Sequence, residues 1–149
     1  MDFNNKIITK NAEETAEVGV SLAQYIVDRE VPHVLCLYGQ LGSGKTTFTQ
    51  GFARGLGITS RLLSPTFIIV RRYQIPKKET QLYHVDLYRL QTLPEMEGIG
   101  LSEIFADKRS FTVVEWAERL GDLLPEARID IHFTTEQDDS HGITIERLV

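Results

Sequence analysis

Val34-Leu35-Cys36-Leu37-Tyr38-Gly39-Gln40-Leu41-Gly42-Ser43-Gly44-Lys45-Thr46 decides how this chain folds. The stretch opens on a continuous apolar run, Val34–Tyr38, the pattern of a short strand covered on both faces in a parallel sheet. Gly39–Thr46 then satisfies G-x-x-x-x-G-K-[ST] at every fixed position. Beyond it, Phe48, Phe52 and Leu56 recur at helical spacing, and Gly57 stands where a C-terminal cap belongs. The segment therefore reads as strand, loop and helix, the setting a phosphate-binding loop requires.

Each position in the loop has a mechanical reason. Gly39, Gly42 and Gly44 permit backbone angles closed to other residues and let amide hydrogens turn inward toward phosphate oxygens. Ser43 contributes its amide. The helix beginning near Gly44 aims its unsatisfied N–H groups and positive dipole end at the same anion. Lys45 is placed to bridge the β- and γ-phosphates, and Thr46 to give its hydroxyl to Mg2+.

Working outward, Asn11 followed by Glu14 resembles a helix N-cap with a side chain reaching back. Val18, Leu22 and Ile26 share one face of a helix expected over 12–29, closed by Pro32. Thr66–Tyr73 and Gln81–Tyr88 are β-branched and aromatic runs around a polar, proline-containing stretch, as in an antiparallel hairpin. Pro94 opens a helix through about Ala106, Phe111–Val114 is a second buried strand, and a helix follows over about 117–124. Ile129–Phe133 and Ile143–Ile145 form a last hairpin. The expected architecture is α/β, a three-layer P-loop NTPase fold with a mixed, mostly parallel sheet and antiparallel hairpins.

A phosphate-binding loop needs an acidic residue at a neighbouring strand end to hold Mg2+ or its water ligands. Glu115 follows the apolar run at 111–114 and would emerge at the carboxyl edge of the sheet, where ligands bind in such folds. Asp86 lies in Leu82–Arg89, an apolar-rich strand where a carboxylate is costly to bury without a partner or a purpose. Asp86 could instead pair with Arg89, and Glu115 could be a solvated strand-end acid. His84 shares the face of Asp86 by alternation, and a lone histidine is more often structural. Ser64-Pro65-Thr66 reads equally as a nucleotide-sensing switch or a proline turn. Trp116 reads as core or interface packing, with partner contact as the alternative.

Composition sets the remaining bounds. The 149 residues suit a single domain, residues 1–149, without linker or repeat. A net charge of −5 argues against a broad cationic surface that would hold nucleic acid by phosphate neutralisation alone. The single cysteine, Cys36, sits in an apolar run and reads as a buried, inert thiol. Neither a secretory leader nor an apolar stretch of about 18 residues is apparent, so a cytoplasmic location with no membrane association is expected. No Asn-Lys-x-Asp sequence selects guanine, which points to ATP.

Together these blocks resemble the bacterial TsaE family of ATPases that support threonylcarbamoyladenosine modification of tRNA. The resemblance rests on Leu37-Tyr38-Gly39 leading into Leu41–Thr47, on Ser64-Pro65-Thr66-Phe67, on Tyr83-His84-Val85-Asp86-Leu87-Tyr88-Arg89 and on Val114-Glu115-Trp116, in that order. It implies that Lys45 and the loop Gly39–Thr47 bind ATP phosphates, that Thr46 and Glu115 coordinate Mg2+, and that Asp86 serves hydrolysis. Ser64 and Thr66 would belong to the family's switch. Glu13, Thr15, Ser140 and His141 fall in regions the family uses for adenine. TsaB and TsaD would be the partners, with tRNA reached only through their complex and group transfer left to TsaD. Gln40 departs from the Asp common in the family. A small-molecule kinase and a nucleotide-dependent binding module without turnover are the other readings of the same loop.

Overall fold

The computed structural model describes Met1, residues 3–62 and residues 69–149. Ser64, Thr66 and the expected strand start at Thr66 lie outside the described residues. In chain order the elements are β1 (Lys6–Thr9), α1 (Ala12–Ile26), β2 (Val34–Tyr38), α2 (Lys45–Gly55), β3 (Val70–Gln74), β4 (Gln81–Asp86), α3 (Leu93–Gly98), α4 (Leu101–Ala106), β5 (Phe111–Glu115), β6 (Arg128–Thr135) and β7 (His141–Leu148). Two short 3-10 turns, Ala117–Arg119 and Gly121–Leu123, join β5 toward β6.

The strands make one sheet in the order β1-β7-β6-β2-β5-β4-β3. Its centre is parallel, with β2 between β5 and β6, and β4 beyond β5. Its margins are antiparallel: β3 returns on β4, β7 on β6, and β1 on β7. The α/β three-layer P-loop NTPase fold expected from the loop is the fold observed.

β2 shows why three layers form. Leu35 and Leu37 point into a core shared with Leu22 and Ile26 of α1 and Phe48 and Phe52 of α2. Val34 and Cys36 point to the opposite core, with Met96, Leu101, Ile104 and Leu120. A strand buried on both faces cannot alternate polar with apolar residues, and β2 does not.

On α1, Asn11 is the N-cap and its side chain accepts from the Glu14 amide at 2.8 Å. Glu14 reaches back one residue further than the expected box, accepting from the Lys10 amide at 2.8 Å. The helix stops at Ile26, not at 29, because Arg29 N–H donates to the Ile26 carbonyl and tightens the chain into a turn before Pro32. α1 and α2 lie against each other at backbone distance. A β-carbon on Gly51 would collide with the Ala16 carbonyl, one on Gly19 with the Phe48 carbonyl, and one on Gly55 would lie 2.7 Å from Ala23 Cβ.

Other expectations are corrected. The single helix from Pro94 to Ala106 is two, interrupted at Gly100, whose φ of +82° ends one helix and opens the next. The helix expected over 117–124 is a pair of 3-10 turns separated at Leu120; Trp116 enters the first at φ +61° and Gly121 opens the second at φ +53°. The last hairpin extends to Arg128–Thr135 and His141–Leu148, beyond the apolar residues that announced it. β1 had no sequence signal: a four-residue strand is too short for alternation to show, and its partner β7 lies at the other end of the chain.

Two stability predictions follow from this packing. Gly51→Ala should cost about 1–3 kcal/mol, the usual penalty of overpacking, read as a fall in the urea unfolding midpoint. Burial, then the Asp130 carboxylate, pushes the Cys36 thiol from its ordinary 9.0 up to about 12. Above about pH 9 the unfolded chain releases a proton that the folded chain retains, so this stabilisation is lost as pH rises from about 9 toward 12. Cys36→Ala should flatten the decline in urea unfolding measured from about pH 8 to 10.

Candidate functional site

The loop after β2 turns through three glycines. Gly42 and Gly44 have φ of +80° and +104°. Gly39 is closed to any side chain, since a β-carbon there would lie 2.7 Å from Ser43 Oγ and 2.9 Å from the Phe133 carbonyl. Gly44 is the N-cap of α2 and offers no side-chain acceptor, so the first amides of that helix face the loop without a cap. Ser43 is 1% exposed and its Oγ has no hydrogen-bond partner among the described residues.

Lys45 is 8% exposed. Its Nζ donates to the Gly39 carbonyl at 2.6 Å and lies 5.3 Å from the centre of the Trp116 ring. An ammonium has three hydrogens to donate. A single carbonyl and an indole face leave part of that capacity for an anion in the cavity.

The acids come from the sheet. β4 and β5 are parallel and in register with Asp86 abreast of Glu115, so neighbouring carboxylates close the two strand ends. Both share the sheet face of Leu82 and Val113, the face that α2 covers. Asp86 is 5% and Glu115 8% exposed. Asp86 Oδ1 accepts from the Tyr88 amide at 2.9 Å, and Glu115 Oε2 meets His84 Nε2 at 2.7 Å.

These groups surround a cavity of about 690 Å³, a volume suited to a small ligand. The loop and α2 supply Leu41, Gly42, Gly44, Lys45, Thr46 and Thr47, and the sheet edge supplies Asp86, Tyr88, Glu115 and Trp116. The start of α1 adds Lys10, Asn11, Ala12 and Thr15, and the turn into β7 adds Asp139 and His141. A β-carbon on Gly44 would meet Thr15 Cγ2 at 3.4 Å and the His141 ring at 3.9 Å, which sets both residues beside the loop. Thr15 is held by a 2.7 Å hydroxyl contact with Thr9 of β1. His141 Nδ1 is buried without a partner among the described residues.

Not every expected residue reaches the cavity. Glu13 is exposed and pairs with Arg54 at 3.1 Å, away from it. Ser140 is 6% exposed and closes its turn by donating hydroxyl and amide to Asp138 Oδ1, which holds that carboxyl below its usual range. Gly39 and Ser43 shape the loop from behind, and Gln40 is exposed beside it. Ser64 and Thr66 lie outside the described residues. Lys10, Asn11, Tyr88 and Asp139 also line the cavity, beyond the residues to which the sequence points. Lys10 carries no signal of its own, because β1 delivers it; Tyr88 has one, since it stands two residues beyond Asp86 in the same block.

Trp116 stands at the rim. Its ring lies 5.2 Å from that of Tyr88, and the Arg119 guanidinium lies 5.1 Å from its centre while donating to the Tyr88 carbonyl at 2.7 Å. Only the left-handed turn at Trp116 lets the indole leave the strand and fold over Lys45.

Glycine loop, buried lysine, uncapped helix N-terminus and paired strand-end carboxylates on a parallel sheet define a protein of the P-loop NTPase fold. The chain belongs to the TsaE family: the family model described as "Threonylcarbamoyl adenosine biosynthesis protein TsaE" matches residues 9–144. Among its relatives is the tRNA threonylcarbamoyladenosine biosynthesis protein TsaE of Bacillus subtilis, 41% identical over 91% of this chain and 81% of the relative. The protein of the same description from Treponema pallidum is 34% identical over 94% of this chain and 98% of the relative. The crystal structure of Bacillus subtilis YdiB superposes with a TM-score of 0.78 at 35% identity, covering 97% of this chain and 86% of that one.

Because Trp116 is the sole tryptophan and faces the Lys45 ammonium, an anion drawn to Lys45 should change its fluorescence. Titration with pyrophosphate should shift the emission of the natural chain, and Lys45→Ala should abolish the response.

Proposed function

We propose that this protein is a Mg2+-dependent ATPase that acts in threonylcarbamoyladenosine modification of tRNA as an accessory to TsaD and TsaB. The carrying observation is the register that sets Asp86 abreast of Glu115, at the strand ends behind Lys45 and the uncapped N-terminus of α2. ATP fits this arrangement: spare ammonium and amide donors meet the phosphates, and the cavity continues past Gly44 to Thr15 and His141, where a base would lie. The donor set suits Mg2+, a hard cation that takes hydroxyl and carboxylate oxygens and keeps several waters. Thr46 and Glu115 would hold it, and bound there it neutralises charge on the phosphate oxygens.

The chain's own residues then divide the work. Loop amides and Lys45 bind and orient the β- and γ-phosphates. Asp86, its Oδ1 anchored by the Tyr88 amide, orients the attacking water. Trp116 and Tyr88 shield the phosphate end and, with exposed Leu41, face the partner complex. A net charge of −5 supports a route to tRNA through that complex. Among the described residues, no helix is long and apolar enough to cross a membrane.

The decisive measurement is ATP hydrolysis and tRNA modification with and without TsaB–TsaD. Lys45→Ala, Asp86→Ala and Glu115→Ala should each lower partner-stimulated hydrolysis by on the order of 10²-fold, the usual cost of a lost electrostatic contact to the transition state. Full modification by all three variants would overturn the reading, and a phosphorylated metabolite as main product would make the protein a kinase.

A further inference from the structure

Among the described residues, the imidazole of His84 makes one hydrogen bond, and it points at the site. It is 1% exposed in the middle of β4, Nε2 lies 2.7 Å from Glu115 Oε2, and Nδ1 is buried with no partner among the described residues. A carboxylate only accepts, so Nε2 carries the hydrogen between them. A histidine kept for a structural polar network would use both nitrogens, since a buried unpaired group is a cost. Here one nitrogen bears that cost while the other holds the carboxylate that closes β5.

The register makes the contact diagonal. His84 stands opposite Val113, Asp86 opposite Glu115, and the imidazole reaches forward to the acid beside Asp86. The terminal torsion of a glutamate is broad, so an untethered Glu115 would turn its oxygens through many orientations. With Oε2 engaged by His84, Oε1 is the oxygen left for the cavity that Glu115 lines. We propose that His84 is a positioning residue, which fixes the Glu115 carboxylate so that one oxygen is presented to Mg2+ at the nucleotide site. The proposal rests on the reading of Glu115 as a metal-holding residue, and it requires no change in the charge of His84.

Calorimetric titration of the full chain with ADP, once in EDTA and once in Mg2+, tests it through the factor by which Mg2+ tightens binding. His84→Leu and His84→Asn, whose amide overlays Nδ1 and cannot reach Glu115, should each lower that factor about tenfold, within the range for losing a partner behind a metal ligand. Affinity in EDTA should be unchanged. His84→Gln, whose amide overlays Nε2, should keep the factor, and His84→Asn combined with Glu115→Gln should be no worse than Glu115→Gln alone. Two results overturn the proposal: a full Mg2+ factor in His84→Asn when Glu115→Gln has lost it, or an equal loss of affinity with and without Mg2+, the mark of a merely structural role. A full factor in Glu115→Gln would instead remove the metal-holding reading, and the role of His84 with it.

Discussion

A cation buried at the end of a parallel strand has few ways of being satisfied, and the arrangement around Lys45 follows from that constraint. Its ammonium folds back to the Gly39 carbonyl and under the Trp116 indole, with Asp86 and Glu115 bordering the same cavity. The loop can wrap the lysine only because Gly39 brings its backbone against Phe133 and Ser43, where any side chain would collide. The indole can cover it only because Trp116 takes a left-handed conformation, a strain that β-strand geometry alone would not produce. A strained aromatic residue, a Ser43 hydroxyl with no partner among the described residues and an ammonium with donors to spare concentrate in one place, as at sites shaped for a ligand rather than for stability.

That cavity is held open by packing elsewhere. α2 must present its N-terminus at the end of β2, and it is fixed there by α1, whose Gly19 and Ala16 meet the backbone of Phe48 and Gly51. The same contact sets Thr15 beside Gly44, so helix packing and the far wall of the cavity are a single feature. β1 completes it from the sheet margin, bringing Thr9 to Thr15 and Lys10 to the rim. The opposite layer contributes differently: α3, α4 and the two 3-10 turns bury the other face of β2 and carry Arg119 to the Tyr88 carbonyl beneath the aromatic pair.

The readings that came through unchanged depended on near neighbours in sequence. β2, the glycine loop and α2 are contiguous, and their periodicity and glycine positions are local properties. Glu115 at a strand end and His84 on the face of Asp86 followed from counting along single strands. The helical patterns at Pro94 and after Trp116 are interrupted by Gly100 and Gly121, whose left-handed angles an apolar pattern does not reveal. The place of Glu13 in the chain puts it near the expected base, whereas the helix rotation turns it toward Arg54.

The sequence by itself determined a glycine-rich loop between a buried strand and a helix, two acids on apolar strands and the family, because each is a short-range pattern of residue types. Only the tertiary structure decided that Asp86 stands abreast of Glu115, that His84 holds the latter, that Trp116 covers Lys45, and that Thr15 and His141 flank Gly44. Those facts depend on strand register, on helices meeting at glycines and on the sign of a few backbone angles, which arise when distant segments pack and leave no local trace in the chain.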